Sequence, residues 1–317
     1  MSVAEVFRCG YVAILGRPNV GKSTLLNRIL GQKISITSRK PQTTRHRILG
    51  VHTSANVQSL FVDTPGIQFG SKRVLNRYMN RAALDTLADV DLLIFMVQGT
   101  RLTEADLAVL KLVQQSDTPA IAVVNKTDIV ADKTQLLPVM QKLAEAKDFI
   151  EVIPVSAQSG DQVDALLGVV EEHLPIAPQL FEDDQITDRS LRFLCAEIVR
   201  EKLMRQLGDE IPYGCSVEVE RFETTEEKGR QRTEIDALIW VEKDAHKAIV
   251  IGKGGSRLKK IGSDARQDLI TLIDSPVHLQ CWVKVKSGWT SNEAAVRSLE
   301  YGDETFGLKK GDGAIES

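Results

Sequence analysis

The chain has 317 residues, of which 43% are hydrophobic and 26% charged, with a net charge of −3; this is the composition of a folded protein of about two domains, each long enough to bury a core, and it excludes a disordered chain, a collagen and a mucin-like stalk. The longest apolar run, Leu92 to Val97, is six residues, where a membrane span needs about 20, and the N-terminus MSVAEVFRCG lacks the basic-then-apolar pattern of a signal peptide. Cys9, Cys195, Cys215 and Cys281 lie far apart with no CxxC pair, which argues against a zinc site or a disulfide framework and fits the reducing cytosol.

Apolar strand-like runs at 11–15, 59–63, 91–97, 120–124 and 149–155 alternate with helical spacing at 22–31, 72–87, 103–115, 133–146 and 161–173. That alternation predicts a three-layer α/β domain with a mostly parallel sheet. Two further runs, 48–53 and 57–61, are separated by a short turn and predict a hairpin, hence an antiparallel edge. Residues 174–188 contain two prolines and an acidic cluster without periodicity, and read as a linker. Beyond it the pattern predicts a helix from 188 to about 206, strands at 215–221 and 233–242, a short helix from 245, a GKGG loop, a helix over 256–273, a strand over 277–285 and a helix from 292. The division expected is a domain over 1–175, a linker over 176–188, a smaller α+β domain over 189–302 and a tail over 303–317 rich in glycine and charge.

Gly16-Arg17-Pro18-Asn19-Val20-Gly21-Lys22-Ser23 matches GxxxxGK[ST] between a strand and a helix, the context that the motif requires. Glycines let the loop turn so that its N–H groups face phosphate, and the helix N-terminus adds positive dipole. Lys22 would reach the β- and γ-phosphates, and the Ser23 hydroxyl would ligate Mg²⁺. Asp63-Thr64-Pro65-Gly66 ends a strand: the carboxylate can hold Mg²⁺ and the Gly66 N–H can sense the γ-phosphate. Asn125-Lys126-Thr127-Asp128 follows another strand. The Asp128 carboxylate can accept from the guanine N1–H and amino group, an edge that adenine does not offer. Asn125 can hold the base and the loop, the Lys126 stem can cover the base, and a backbone N–H at Ser156-Ala157 can meet guanine O6.

These four motifs in this order resemble the P-loop GTPases, which implies GTP as substrate, GDP as product and Mg²⁺ as cofactor. The segment 39–45 is then a candidate first switch in which a threonine hydroxyl completes the metal's coordination; resemblance to ribosome-assembly and tRNA-modification GTPases favours Thr44, with Thr43 the alternative. Ile67 stands where signalling GTPases carry a water-orienting glutamine, and it has no hydrogen-bonding group; Gln68 is the nearest amide. Asn19 is similar to an asparagine that holds a potassium ion against the phosphates in GTPases with this loop, a cation that can spread transition-state charge.

In the second half, residues 246–266 carry Lys247, Lys253, Arg257, Lys259, Lys260 and Arg266 against Asp264 alone. Gly252-Lys253-Gly254-Gly255 between two helices is the GxxG pattern that clamps single-stranded RNA in KH domains, with Ile249, Val250, Ile251, Leu258 and Ile261 expected to floor the base groove. Strand order resembles the prokaryotic, type II form. Lys284 and Lys286 either extend the basic surface or are ordinary edge-strand lysines. The five histidines show no ligand spacing, and Trp240, Trp282 and Trp289 read as core.

A GRPNVGKST GTPase joined to a C-terminal KH domain, with ISITSRKPQTTRHR (34–47), ITDRSLRFLCAEIVREKLMR (186–205) and VHLQCWVKVKSGW (277–289), resembles the Era-type family of bacterial ribosome-assembly GTPases over nearly the whole chain. The resemblance implies GTP hydrolysis, binding to 16S rRNA near its 3′ end, a role in 30S subunit maturation and peripheral attachment at the inner membrane; a cytoplasmic monomer is expected. The competing readings are a P-loop phosphotransferase, against which Asn125 and Asp128 speak, and an rRNA-binding factor with only structural use of the nucleotide, against which intact Lys22, Ser23, Thr44 and Asp63 speak.

Overall fold

The computed structural model describes residues 6–38, 40, 43–67, 74–87, 89–208, 211–227 and 230–300. Arg39, Gln68 and the expected tail lie outside that set. Strands β1 (Arg8–Leu15), β2 (Ile48–Ser54), β3 (Val57–Asp63), β4 (Leu92–Gln98), β5 (Ala120–Asn125) and β6 (Val152–Pro154) form one sheet in the order β2-β3-β1-β4-β5-β6. All neighbours are parallel except β2 and β3, the expected hairpin. The apolar runs are continuous because both faces of the sheet are covered. Alternate residues serve two cores: Leu93, Phe95 and Val97 of β4 pack with Val109 and Leu143, while Leu92, Ile94 and Met96 pack with Leu25 and Leu166. Helices α2 (Val74–Leu87), α3 (Glu104–Gln115) and α4 (Leu137–Ala146) thus lie on one face, and α1 (Lys22–Leu30) and α5 (Val163–His173) on the other.

The strand expected over 149–155 shrinks to three residues, and the helix expected from 133 begins with a 3₁₀ turn, Lys133–Leu136, before Pro138 opens α4. The segment 174–188 has no helix or strand, as expected, yet it is tied down. Cys9 donates its N–H to Pro175 O at 3.1 Å, Val51 to Ile186 O at 2.9 Å, and Gln58 Oε1 accepts from the N–H groups of Leu180 and Phe181 at 3.0 and 2.9 Å.

Ser190 caps α6 (Leu191–Gln206) through the Phe193 N–H. Then come β7 (Cys215–Glu227), β8 (Arg230–Val241), α7 (Asp244–Ile251), α8 (Ser256–Ile273), β9 (Val277–Val285) and α9 (Glu293–Glu300). The sheet order is β7-β8-β9, antiparallel then parallel. Its inner face packs Ile235, Ala237, Ile239 and Val241 against Val199, Val250, Ile261 and Leu269. Trp240 and Trp282 have the opposite parity to those residues, so they are not core. Each is half-buried on the other face, its indole N–H donated at 3.2 Å to Glu218 or Glu220. Trp289 alone is core as expected, 1% exposed, in a cluster with Leu75 and Met79 of α2 and with Val296.

Candidate functional site

The C-terminal ends of β1, β3 and β5 open onto one cavity of about 710 Å³, the place where open α/β sheets bind ligands. It is lined by the P-loop residues Pro18, Asn19 and Gly21 to Ser23, by Ile36 to Ser38, Thr43, Thr44, Gly66, Lys126 and Gln158, and by Met204 and Arg205 of α6. Among the described residues, Lys22, Lys40, Lys126 and Arg205 give it four cations and no carboxylate lines it. Such a cavity suits an anion.

Lys22 is 6% exposed and donates to the carbonyls of Gly16 and Arg17 at 3.0 and 3.2 Å. Burial pushes its ammonium down to about 8, against the pull of Asp63. The loop is braced from outside, since Arg17 Nε lies 3.0 Å from Asp106 Oδ1, a carboxylate in the first turn of α3 that is 1% exposed. Asn19 adopts the left-handed conformation, φ 66°, and its carbonyl accepts from Lys126 Nζ at 2.7 Å. A Cβ at Gly66 would sit 2.8 Å from the Pro18 backbone, so the loop and the end of β3 meet without room for a side chain.

Three oxygens converge beside Lys22. Ser23 Oγ donates to Asp63 Oδ2 at 2.6 Å and lies 2.8 Å from Thr44 Oγ1, while Thr44 Oγ1 is 3.5 Å from the same carboxylate oxygen. Ser35 Oγ, which the sequence reading missed, also donates to Asp63 Oδ2 at 2.8 Å. Asp63 is wholly buried, and its Oδ1 has no hydrogen-bond partner among the described residues. Burial raises the carboxyl's pKa, opposed by Lys22 and the three hydroxyls. An orphaned buried carboxylate oxygen beside two hydroxyls is a hard-oxygen donor set that fits Mg²⁺. Thr43 points elsewhere, donating to Lys40 O at 2.8 Å. Thr64 Oγ1 donates to Ile14 O, and Ile67 is 3% exposed within the core. His46, buried, meets Phe193 edge-on at 5.1 Å.

At the other end, Asn125 ties three loops together. Its amide donates to Val20 O at 2.7 Å, and its carbonyl oxygen accepts the Ala157 N–H at 3.0 Å. Of the two backbone donors expected to offer guanine O6 an N–H, Ala157 is thus committed to Asn125 and Ser156 to Asp161 O at 3.0 Å, and a base contact there has to be shared. Thr127 is buried behind the loop, whereas Asp128 is exposed and accepts from Ser156 Oγ at 2.7 Å.

The GxxG loop lies on the second unit. Gly252, Gly254 and Gly255 have φ of 72°, 57° and 77°, and a Cβ at Gly254 would meet nothing within 4 Å. Lys253, Arg257, Lys259 and Lys260 are exposed around the start of α8. The expected groove floor needs correction. Val250 and Ile261 are fully buried in the core, because they face the sheet at helical spacing; Ile251 and Leu258 are half-buried, and Ile249 is 40% exposed. Arg257 Nη1 donates to Ile249 O at 2.6 Å and bridges the two helices.

Comparison with known proteins places this geometry. Residues 11–126 match the family model described as 50S ribosome-binding GTPase, and residues 210–290 match the KH domain model. The chain is similar to GTPase Era of Yersinia pestis and of Yersinia pseudotuberculosis, 52% identical over 304 residues, or 96% of this chain and 99% of theirs. Among solved structures, an Aquifex aeolicus Era variant bound to GDP·AlF4⁻ superposes with a TM-score of 0.89 at 38% identity, covering 93% of this chain and 99% of that one. Era in complex with MgGDPNP and nucleotides 1506–1542 of 16S ribosomal RNA superposes at 0.88, with the same identity and coverage.

Proposed function

The chain belongs to the Era family of GTPases, and from that premise we propose that it couples GTP hydrolysis to binding of 16S rRNA near its 3′ end during 30S subunit maturation. The observation that carries the nucleotide half is the cavity with four cations and no carboxylate, next to the Ser23, Thr44 and Asp63 oxygens. The domains are taken as 1–175 for GTP, 189–302 for RNA, with 176–188 between them.

The residues divide the work by position. Backbone N–H groups from Asn19 to Ser23 and the α1 N-terminus bind the β- and γ-phosphates, and Lys22 leaves its carbonyl partners for phosphate oxygens. Ser23, Thr44 and Asp63 hold Mg²⁺, which when bound neutralises charge on the phosphates. Gly66 donates its N–H to the γ-phosphate. Asp128 reads the guanine N1–H and amino group, while Asn125, Thr127 and Ser156 keep the base loops in place. Water attacks the γ-phosphorus without a side-chain amide at position 67, since Ile67 is in the core. Asn19, exposed on the cavity rim, is placed to hold K⁺ against the phosphates.

In the second domain, Gly252 to Gly255 lie against an RNA backbone, with Lys253, Arg257, Lys259 and Lys260 supplying charge. Any attachment to the inner face of a membrane is peripheral, as no helix among the described residues is long and apolar enough to cross one. The test of base identity is Asp128→Asn. It should weaken GTP binding by about 2–3 kcal/mol, the worth of a charge-assisted pair, and improve binding of xanthosine triphosphate. An unchanged GTP/XTP preference would remove the assignment.

A further inference from the structure

We infer that Arg205, on α6 of the RNA-binding half, is a residue of the nucleotide site whose guanidinium faces an anionic oxygen of the bound nucleotide. The inference rests on the nucleotide reading above and extends the site to a part of the chain that carries no nucleotide motif.

Arg205 lies more than 180 residues after the P-loop, yet it lines the same cavity as Asn19 and Lys22. Its orientation is fixed. Nε and Nη2 each donate to Thr37 O at 3.2 Å, and Nη2 also reaches Thr37 Oγ1 at 3.2 Å and Glu201 Oε1 at 3.1 Å. Glu201 is itself immobile: it is wholly buried and accepts the Thr37 N–H at 2.9 Å and Lys33 Nζ at 2.6 Å. A long, rotamer-rich side chain is thereby held in one pose, so the ordering cost of using it on a ligand is already met by the fold.

Two features aim that pose at an anion. The Arg205 side chain is 47% exposed, and its bonds to Thr37 and Glu201 all run through Nε and Nη2. Among the described residues, Arg205, Lys33 and Lys202 share two carboxylates, Glu201 and Asp268, so the cluster carries an excess positive charge, and Arg205 is its member that lines the cavity. With no carboxylate in the cavity lining, that charge finds its complement in a phosphate-bearing ligand.

The test is release of tritiated GDP from the full chain in Mg²⁺ buffer, measured over a range of NaCl concentrations for wild type, Arg205→Ala and Arg205→Lys. Arg205→Ala should release GDP about tenfold faster at low salt, with the gap closing as salt rises. Arg205→Lys keeps the charge but loses the fork to Thr37, and should stay within about threefold of wild type. Wild-type release in Arg205→Ala would overturn the inference. So would equal acceleration in both variants at every salt concentration, because that is the signature of a residue that only docks α6 on the segment around Thr37. Failure of the nucleotide reading itself would look different: wild-type protein would retain no GDP, and both readings would fall together.

Discussion

Lys22 is the group whose chemistry changes most when an anion arrives. In the ligand-free protein its pKa is lowered by burial to about 8, from 10.5. A bound phosphate raises it again, so binding above pH 8 takes up a proton and must weaken as pH rises. GDP affinity should be flat between pH 6.5 and 7.5 and fall by up to about tenfold per unit above pH 8; calorimetric titration across that range checks it. The free protein behaves in the opposite sense. Between about 8 and 10.5 the unfolded chain binds more protons at this lysine than the folded one, so the contribution of Lys22 to stability rises with pH. At Asn19 the expectation concerns cations. Turnover should be faster in KCl than in NaCl at equal ionic strength, and Asn19→Ala should abolish the difference; equal wild-type rates in both salts would reject the potassium role. These site residues were legible because phosphate and guanine chemistry fixes residue types at fixed spacing from strand ends. Lys40 was legible only as part of the 39–45 switch segment, and Ser35 and Arg205 were not, because nothing local marks a side chain that reaches the site through tertiary contact.

Among the elements, the loop before α8 carries the clearest separable expectation. Gly254 is in the left-handed region and faces open space, and aspartate tolerates that conformation better than most residues. Gly254→Asp should therefore fold, keep basal GTP turnover near wild type, and lose binding to a short single-stranded RNA from the 16S 3′ end, since the carboxylate repels phosphate. Tight binding by the folded variant would mean that RNA docks elsewhere. Element type was readable where burial left a mark in the sequence, as continuous apolar runs in β1 and β4 and as helical spacing in α8. Length was less so. The hairpin of β7 and β8 runs to Glu227 and from Arg230, beyond the expected 221 and 233, because residues 223–226, 231 and 232 near its end are exposed and Thr- and charge-rich and show no apolar alternation. Helix α6 buries Glu197, Arg200, Glu201 and Lys202, so its sequence does not reveal which face is inside.

For the whole molecule, those buried charges describe the contact between the two halves. Glu197 holds Arg200 with two bonds of 2.6 Å, and Arg200 Nη2 donates to Thr43 O at 2.6 Å, next to Thr44. Arg45, wholly buried, donates to Cys215 O at 2.8 Å. Glu197→Gln should take a buried carboxylate away from the Arg200 guanidinium and destabilise the protein by about 3 kcal/mol, within the usual 3–5 for a broken buried pair. Urea unfolding followed by intrinsic fluorescence reads the loss; a midpoint unchanged from wild type would show that the pair adds nothing to the interface. Such long-range pairing was invisible in a sequence that marks its linker only by proline and acid. The tie of that segment to the first sheet also has a consequence for synthesis. Arg8 and Leu174, which share a hydrogen bond, are 166 residues apart, so the start of β1 leaves the ribosome well before the segment that bonds to it. At roughly 5–20 residues per second the wait is about 8 to 33 seconds. During that interval the nascent first domain exposes the Cys9 and Val51 N–H groups that Pro175 and Ile186 later accept and the Gln58 side-chain oxygen that Leu180 later meets, and a chaperone that binds unpaired polar groups has its opportunity then.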